Sequence, residues 1–373
     1  MEKRILLSTP TMHGEEIKYI QEAFDRNWIA PLGFNCDAFE TEMCEYLCDN
    51  GRAALATVSG TSAIHLAVKL AGVKPGDTVF CSDMTFAATV NPVSYEGGKQ
   101  VFIDSERETW NMDPVALEKA FEKYPDTKVV VLAHLYGVPA KLDEILAVCK
   151  KHGAILIEDA AEALTSTYKN RQCGTFGKYN ILSFNGNKII TTSGGGMLIV
   201  PSPEDREKAF FLATQSREKE LWYQHNEIGY NYRMSNVVAG IGRGQLKFAD
   251  EHRERKEAIY RRYQNGLQDL PITMNPYLAE SVPNFWLSCL TVNEACDVDP
   301  IDIIKALDAA NVEARPIWKP MHMQPVFAEN DFITAADKPV GEDIFKRGFC
   351  LPSDIKMTED EQQYVMDVIK SCF

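Results

Sequence analysis

The stretch Ser183-Phe-Asn-Gly-Asn-Lys-Ile-Ile-Thr-Thr-Ser-Gly-Gly-Gly196 contains a single charged residue, Lys188. Largely apolar blocks flank it, Tyr179 to Leu182 before it and Met197 to Val200 after it. This arrangement predicts that Lys188 lies in a turn between two strands and not on a solvated helix face. A lone lysine in such a turn is either a surface residue of a β-hairpin or a residue required for its chemistry.

A second run, Ile155-Leu-Ile-Glu-Asp159, precedes the lysine segment and ends in two acids. The pattern is typical of a buried parallel strand with carboxylates at its C-terminal tip, where α/β sheets place ligands. A strand-tip aspartate followed by a lysine in a Ser/Gly-rich turn suggests pyridoxal phosphate (PLP). Lys188 would form the Schiff base, and Asp159 would pair with the protonated pyridine nitrogen and strengthen the ring as an electron sink.

Composition narrows the class of protein. A chain of 373 residues with 45% hydrophobic and 25% charged residues is expected to form one large or two medium globular domains. The formal net charge of −14 argues against nucleic acid or an anionic membrane as a partner. The ten cysteines form no C-x-x-C pair and have no histidine cluster nearby, so we expect no metal site.

The same features predict a cellular location. Scattered cysteines in a chain of this length fit a reducing compartment. The N-terminus lacks the apolar core of a signal peptide. No stretch approaches the roughly 18 apolar residues that span a bilayer. We therefore expect a cytoplasmic protein.

Strand and helix patterns alternate along the first two thirds of the chain, which predicts a mostly parallel sheet. Gly60-Thr-Ser62 joins a predicted strand to a predicted helix, so its free backbone N–H groups could bind an anion, with Thr61 and Ser62 adding hydroxyls. Plain N-capping explains these residues equally well. Further patterns predict helices over 206–219 and 237–270, and a strand over 312–318. We expect a large domain over 1–245 and a smaller α+β domain over 246–373.

With these motifs and Gly229-Tyr-Asn-Tyr-Arg233, the chain resembles the sugar-nucleotide aminotransferases of the aspartate-aminotransferase fold, which are fold type I PLP enzymes. Within them it is most similar to the C4 transaminases that act on UDP-linked 4-keto-6-deoxy-N-acetylglucosamine in bacillosamine-type pathways. The segments that carry this narrower resemblance are Trp28 to Gly33, His134 to Gly137, Glu158 to Leu164, Ser183 to Lys188 and Arg315 to His322.

The resemblance implies a role for each site residue. Lys188 is the catalytic lysine and Asp159 holds the pyridine nitrogen. Phe86 stacks on the ring, Glu162 contacts the cofactor or the sugar, and Thr61, Ser62 and Ser183 bind the phosphate. Asn231 reaches in from the partner subunit of a homodimer with shared active sites. The nucleotide end of the substrate is assigned to Arg233, Arg315, Lys319 and His322, and glutamate is the amino donor.

Two alternatives remain open at this point. One is another enzyme on the same fold, such as a C3 aminotransferase or a PLP-dependent sugar dehydratase, although Lys188 argues against the dehydratases because they replace it with histidine. The other is a non-catalytic protein that binds PLP or a nucleotide sugar. Thr165 departs from the glycine that close relatives tend to have, and it could narrow the space near the sugar.

Overall fold

A computed structural model describes residues 4–49 and 51–373 of the chain. The helices are α1 (Glu15–Asp25), α2 (Phe34–Tyr46), α3 (Gly60–Leu70), α4 (Ala87–Tyr95), α5 (Pro114–Lys123), α6 (Leu142–His152), α7 (Pro203–Ala213), α8 (Asn236–Leu246), α9 (Ala249–Gly266), α10 (Pro300–Ala309), α11 (Val340–Arg347) and α12 (Glu359–Lys370). Within the described ranges, each helix is too short or too polar to cross a bilayer.

The strands are β1 (Ala53–Thr57), β2 (Thr78–Ser82), β3 (Lys99–Ile103), β4 (Val129–Ala133), β5 (Ile155–Asp159), β6 (Thr167–Tyr168), β7 (Arg171–Gln172), β8 (Tyr179–Ser183), β9 (Gly196–Val200), β10 (Ile272–Met274), β11 (Ser281–Val282), β12 (Ser288–Val292), β13 (Arg315–Pro316), β14 (Phe332–Ile333) and β15 (Gly348–Leu351). Eight of them form the central sheet in the order β1-β9-β8-β5-β4-β2-β3-β14. Neighbours from β8 to β14 in this order pair in parallel, whereas β9 runs antiparallel to both β8 and β1. The predicted α/β class with a mostly parallel sheet is confirmed.

The strand register brings three strand ends together at one edge of this sheet. Ala133 of β4 pairs with Asp159 of β5, and Asp159 pairs with Ile181 of β8. Helix α6 ends at Gly153, whose φ of +64° is a left-handed conformation that glycine adopts without a Cβ penalty. The chain can therefore turn directly from α6 into β5, which carries Asp159 to the edge.

The lysine segment is the connection of a hairpin, because β8 and β9 pair with Ser183 opposite Gly196. The alternative of a β-hairpin with a surface lysine is therefore correct for the backbone. It is wrong for the lysine, since the Lys188 side chain is only 12% exposed. Hydrogen bonds from Phe184 N to Gly195 O and from Thr192 N to Phe184 O fold the connection back over the sheet.

A second sheet, β10-β12-β15-β13, is antiparallel and packs against α9, α10 and α12 through an apolar core that includes Ile259, Leu307 and Val365. The division into 1–245 and 246–373 remains a prediction. Two short segments cross between these ranges: β14 joins the large sheet beside β3, and Ile5 pairs with Val312.

Three predicted elements differ in extent. The region 237–270 is divided between α8 and α9. The helix predicted over 206–219 is α7, which ends before Gln215 and Ser216, residues with φ of +63° and +52° that a right-handed helix excludes. Only β13 of the strand predicted over 312–318 forms, because that segment pairs with β15 at Arg315 and Pro316 alone.

Candidate active site

A cleft of about 330 Å³ opens at the C-terminal ends of β5 and β8, beside the N-terminus of α3. This is the size and position expected of a ligand site in an open α/β sheet. Six of the residues predicted from sequence line it: Thr61, Phe86, Asp159, Glu162, Ser183 and Lys188.

Lys188 and Glu162 form an ion pair inside the cleft. Lys188 Nζ lies 3.2 Å from Glu162 Oε1, and Glu162 Oε2 accepts a 2.7 Å hydrogen bond from the backbone N–H of Tyr136. The ammonium also lies 3.9 Å from the centroid of the Trp286 ring. Burial raises the pKa of Glu162, and the positive charge of Lys188 opposes that rise.

Asp159 is held by two donors. Its Oδ2 accepts a 2.6 Å hydrogen bond from Thr89 Oγ1, and its Oδ1 accepts one of 3.0 Å from the backbone N–H of Ala161. Burial raises the pKa of Asp159, while these hydrogen bonds and the charge of Lys188 lower it. A cationic group bound beside Asp159 would favour the carboxylate further.

The N-terminus of α3 lies at one edge of the cleft, so its free backbone N–H groups are available to an anion. Ser59 caps the helix, and its Oγ accepts from Ser62 N at 3.0 Å and lies 2.7 Å from Ser62 Oγ. Thr61 and Ser183 face the cleft, but the Ser62 hydroxyl is engaged with Ser59 and does not line it. A Cβ on Gly60 would lie 3.2 Å from the Cβ of Ser183, so only a small residue lets helix and strand approach this closely.

Phe86 provides an aromatic wall. Its side chain is 59% exposed although it lines a cleft, and its ring centroid lies 5.3 Å from that of Trp318. A large apolar ring left open to solvent in a cleft is available to stack on a flat ligand.

These groups fit pyridoxal phosphate. Lys188 offers the amine, Asp159 offers a buried carboxylate for a pyridinium nitrogen, Phe86 offers an aromatic face, and the α3 N-terminus with Thr61 and Ser183 offers donors for a phosphate. These groups lie together because β5, β8 and α3 all reach the same edge of the sheet.

The structure leaves Asn231 and Arg233 outside the cleft. Asn231 is exposed, and its backbone forms an isolated bridge with Thr214. Arg233 is 3% exposed, and its Nη1 donates to Glu40 Oε1 at 2.6 Å and to the carbonyl of Ala56 at 3.0 Å. Within one chain Arg233 is therefore a buried partner of Glu40 and does not face the site of that chain.

The three remaining residues assigned to the nucleotide end differ in availability. Arg315 is 68% exposed and pairs with Glu313, and Lys319 is half-exposed next to Trp318, a lining residue of the cleft. His322 is engaged at both ring nitrogens, with Nδ1 2.7 Å from Asp83 Oδ2 and Nε2 3.2 Å from Glu342 Oε1. These contacts anchor the 321–323 turn and occupy both ring nitrogens.

Thr165 does not narrow the cleft, because it is buried and is not one of the lining residues.

Sequence reasoning assigned no role to Thr89 and Trp286, and it named His134 and Trp318 only as members of the segments that carry the narrower resemblance. Trp286 comes from the segment before β12, about a hundred residues after Lys188 in the chain. Thr89 lies in the first turn of α4, three residues after Phe86, which precedes the helix, and this short spacing could have revealed it.

Comparisons with known proteins identify the family of this chain. The profile of the DegT/DnrJ/EryC1/StrS aminotransferase family matches residues 10–370. The chain is 50% identical over 379 aligned positions to "Putative pyridoxal phosphate-dependent aminotransferase EpsN" of Bacillus subtilis, covering 100% of this chain and 97% of EpsN. It is 34% identical to the GDP-perosamine synthase of Caulobacter vibrioides, with 95% of each chain covered.

Solved structures show the same fold. A DegT DnrJ EryC1 StrS aminotransferase from Brucella abortus superposes with a TM-score of 0.87 at 25% identity, over 96% of this chain and 95% of that one. Helicobacter pylori PseC, an aminotransferase of pseudoaminic acid biosynthesis, superposes with a TM-score of 0.91 at 24% identity, over 100% and 99% of the two chains. The predicted fold type I architecture and the PLP cofactor are thereby confirmed, and the chain belongs to the DegT/DnrJ/EryC1/StrS family of PLP-dependent sugar aminotransferases.

Proposed function

We propose that the protein transfers an amino group from glutamate to C4 of a UDP-linked 4-keto-6-deoxy-N-acetylhexosamine. The observation that carries the transfer chemistry is the cleft in which the Lys188 amine, the Glu162 carboxylate and the Asp159 carboxylate lie together. The sugar assignment is supported by the loop segments of the narrower resemblance. A nucleotide-linked product is also supported by the GDP-perosamine synthase relatives.

Each side chain has a defined task in this proposal. When bound, PLP supplies a carbonyl that accepts an amino group and a ring that stabilises negative charge on the substrate carbon. Lys188 carries protons at its Nζ, and Glu162 holds that nitrogen in position from 3.2 Å. Asp159 keeps its carboxylate oriented through Thr89 and Ala161. Thr61, Ser183 and the α3 N-terminus bind a phosphate.

The nucleotide end is assigned to the loop that follows β13. Trp318 lines the cleft, so its neighbour Lys319 lies where a diphosphate could leave the cleft. A phosphate-bearing substrate needs fixed cations in a protein with a net charge of −14, and Arg315 of β13, just before this loop, supplies a second cation. Its present partner, Glu313, holds it in an exposed pair, which costs little to break.

We also propose that the working unit is a homodimer with composite sites. Trp28 and Ile29 are 51% and 52% exposed, and Tyr223 and Ile228 are 79% and 81% exposed. Exposed apolar loops of this extent are typical of an interaction surface. Asn231 follows the loop that contains Tyr223 and Ile228, and it would reach the partner's cleft.

The alternative is amination at another position or on another nucleotide, and the GDP-perosamine synthase relatives favour testing GDP first. Purified protein is mixed with PLP, glutamate and 4-keto-6-deoxy sugars carried on UDP, GDP or dTDP, and products are identified by mass spectrometry and NMR. The expected product carries a 4-amino group on the UDP sugar. Amination at C3, or a preference for GDP or dTDP sugars that lack the acetamido group, would refute the proposed substrate and leave the transaminase activity intact.

A further inference from the structure

Lys256 of α9 is a buried lysine that has no role in the proposed reaction. It is 3% exposed, and its Nζ donates to the carbonyls of Ser353 at 2.8 Å and Trp286 at 3.0 Å, and to Ser8 Oγ at 3.3 Å. One ammonium therefore joins the N-terminal segment, the segment before β12 and the segment after β15.

Two of these three contacts lead to the Lys188 loop. The Trp286 indole N–H donates to the carbonyl of Asn187 at 2.6 Å, and the Ser8 hydroxyl donates to the same carbonyl at 3.2 Å. The face of the indole then lies 3.9 Å from Lys188 Nζ. Trp286 is thus fixed at its backbone by Lys256 and at its ring by the residue before Lys188.

An ammonium is a costly means of holding chain segments together. Burial lowers the pKa of Lys256 to about 7, so its hydrogen bonds do not fully offset the loss of hydration. An apolar side chain of similar length would fill this position at a lower desolvation cost, but it could not bind three oxygen acceptors. What the lysine adds is a fixed geometry for the groups that it contacts.

We propose that Lys256 is a positioning residue that holds Trp286 in place, and that the indole face of Trp286 in turn orients the Lys188 amine and favours its protonated form. A cation over an indole face is stabilised by the ring quadrupole. The inference deepens the proposed function and rests on Lys188 as the reactive amine.

Other charged groups also face Lys188. Glu162 is its direct partner, and Asp159 interacts with it across the cleft. His252 and Lys256 line a small gap of about 10 Å³ that Lys188 also lines. The experiment therefore has to separate the effect of the indole from the effects of these charges.

The test measures protonation of Lys188 in the full chain freed of cofactor. Amines are acetylated with short pulses of acetic anhydride over a range of pH, and modification of Lys188 is quantified by peptide mass spectrometry. Trp286→Leu should lower the midpoint for Lys188 by about one pH unit, and Trp286→Phe should lower it less because a ring face remains. Lys256→Met should lower the midpoint in the same direction.

The double variant Lys256→Met, Trp286→Leu separates positioning from charge. If Lys256 acts through Trp286, Lys256→Met has no further effect once the indole is absent. Loss of the Lys256 charge alone would raise the midpoint or, above about pH 7 where Lys256 is largely neutral, leave it unchanged. Three results would overturn the proposal. One is an unchanged midpoint in Trp286→Leu, and another is a raised or unchanged midpoint in Lys256→Met. The third is an equal shift by Lys256→Met in the wild-type and Trp286→Leu backgrounds.

Circular dichroism establishes that each variant is folded. If Lys256→Met does not fold, Lys256→Gln is measured instead, with the same expected direction because one amide cannot reach all three acceptors. Borohydride trapping of PLP on the wild-type protein is done in parallel. Attachment to a lysine other than Lys188 would refute the assignment of the reactive amine, whereas the acetylation midpoints would still report on Lys256 and Trp286.

Discussion

Lys188 Nζ and Glu162 Oε1 lie 3.2 Å apart at the base of a cleft in which both side chains are largely buried. Burial raises the pKa of Glu162, and proximity to the lysine counteracts this rise. The pair is therefore stabilised by mutual charge neutralisation in a place where either charge alone would be costly. The Glu162 contact holds Lys188 in the cleft.

The first prediction concerns covalent attachment of PLP. Lys188→Ala should abolish both trapping of the cofactor by borohydride and amino transfer, because no other lysine lines the cleft among the described residues. Mass spectrometry of the reduced protein locates the attachment. Lys247→Ala, at an exposed lysine paired with Glu15, serves as the control and should keep the adduct.

The second prediction concerns Thr89, whose hydroxyl donates to Asp159 at 2.6 Å. Thr89→Val removes that donor with little change of volume and should weaken PLP binding by about ten- to a hundredfold, the range expected for one hydrogen bond to a charged group. Titration of the cofactor-free protein with PLP measures the change. Thr89→Ser retains the hydroxyl and should bind PLP nearly as well as the wild type. Equal weakening by both substitutions would assign the effect to packing.

The third prediction concerns pH. Burial alone would lower the pKa of His322, but hydrogen bonds and charge from Asp83 and Glu342 outweigh it and raise the pKa above 6.5. A raised pKa in the folded state contributes stability that is present below about pH 6.5 and is lost as the pH rises through the folded value. Urea unfolding across this range should show that loss in the wild type and not in His322→Asn.

Glu342→Gln provides the intermediate case, because it retains Asp83 but removes one of the two carboxylates beside the ring. Its pH-dependent loss of stability should be smaller than that of the wild type. A loss of the same size would show that Asp83 alone sets the protonation of His322.

The fourth prediction concerns Thr165, which has a φ of +73° and a buried hydroxyl without a hydrogen-bond partner among the described residues. A β-branched residue is strained in this conformation. Thr165→Gly should stabilise the fold by about 1 kcal/mol, measured by urea unfolding. Thr165→Ala removes the branch and hydroxyl but keeps the Cβ, so it should recover only part of that gain. Destabilisation by glycine would mean that packing of the threonine outweighs its strain.

The fifth prediction tests shared sites by mixing two inactive chains, Lys188→Ala and Asn231→Ala. In a mixed dimer one site collects both defects and the other collects none. With random reassociation under two-fold symmetry, roughly a quarter of all sites should recover activity. Asn231 suits this test better than Arg233, because truncating Arg233 would also leave Glu40 without a buried partner. Demonstrated subunit exchange without recovery would show that each site lies within one chain.

The sequence by itself determined those features that depend on neighbouring residues. The strand that ends at Asp159 and the turn that carries Lys188 were both predicted and both formed. Strand periodicity, helix termination and turn chemistry depend on a few neighbouring residues. They can therefore be predicted from a short stretch of sequence. The boundaries of α7, α8 and α9 were less accurate, because tertiary contacts decide where a helix ends.

Only the tertiary structure decided which distant residues meet. Trp286 reaches Lys188 because the segment before β12 crosses the edge of the large sheet, and Lys256 reaches Trp286 from a helix that packs on the second sheet. Arg233, assigned to the nucleotide end from the resemblance, faces Glu40 within its own chain, almost two hundred residues earlier in the sequence. A side chain's chemistry is set by its partners in space, and folding selects those partners through the burial of the whole chain.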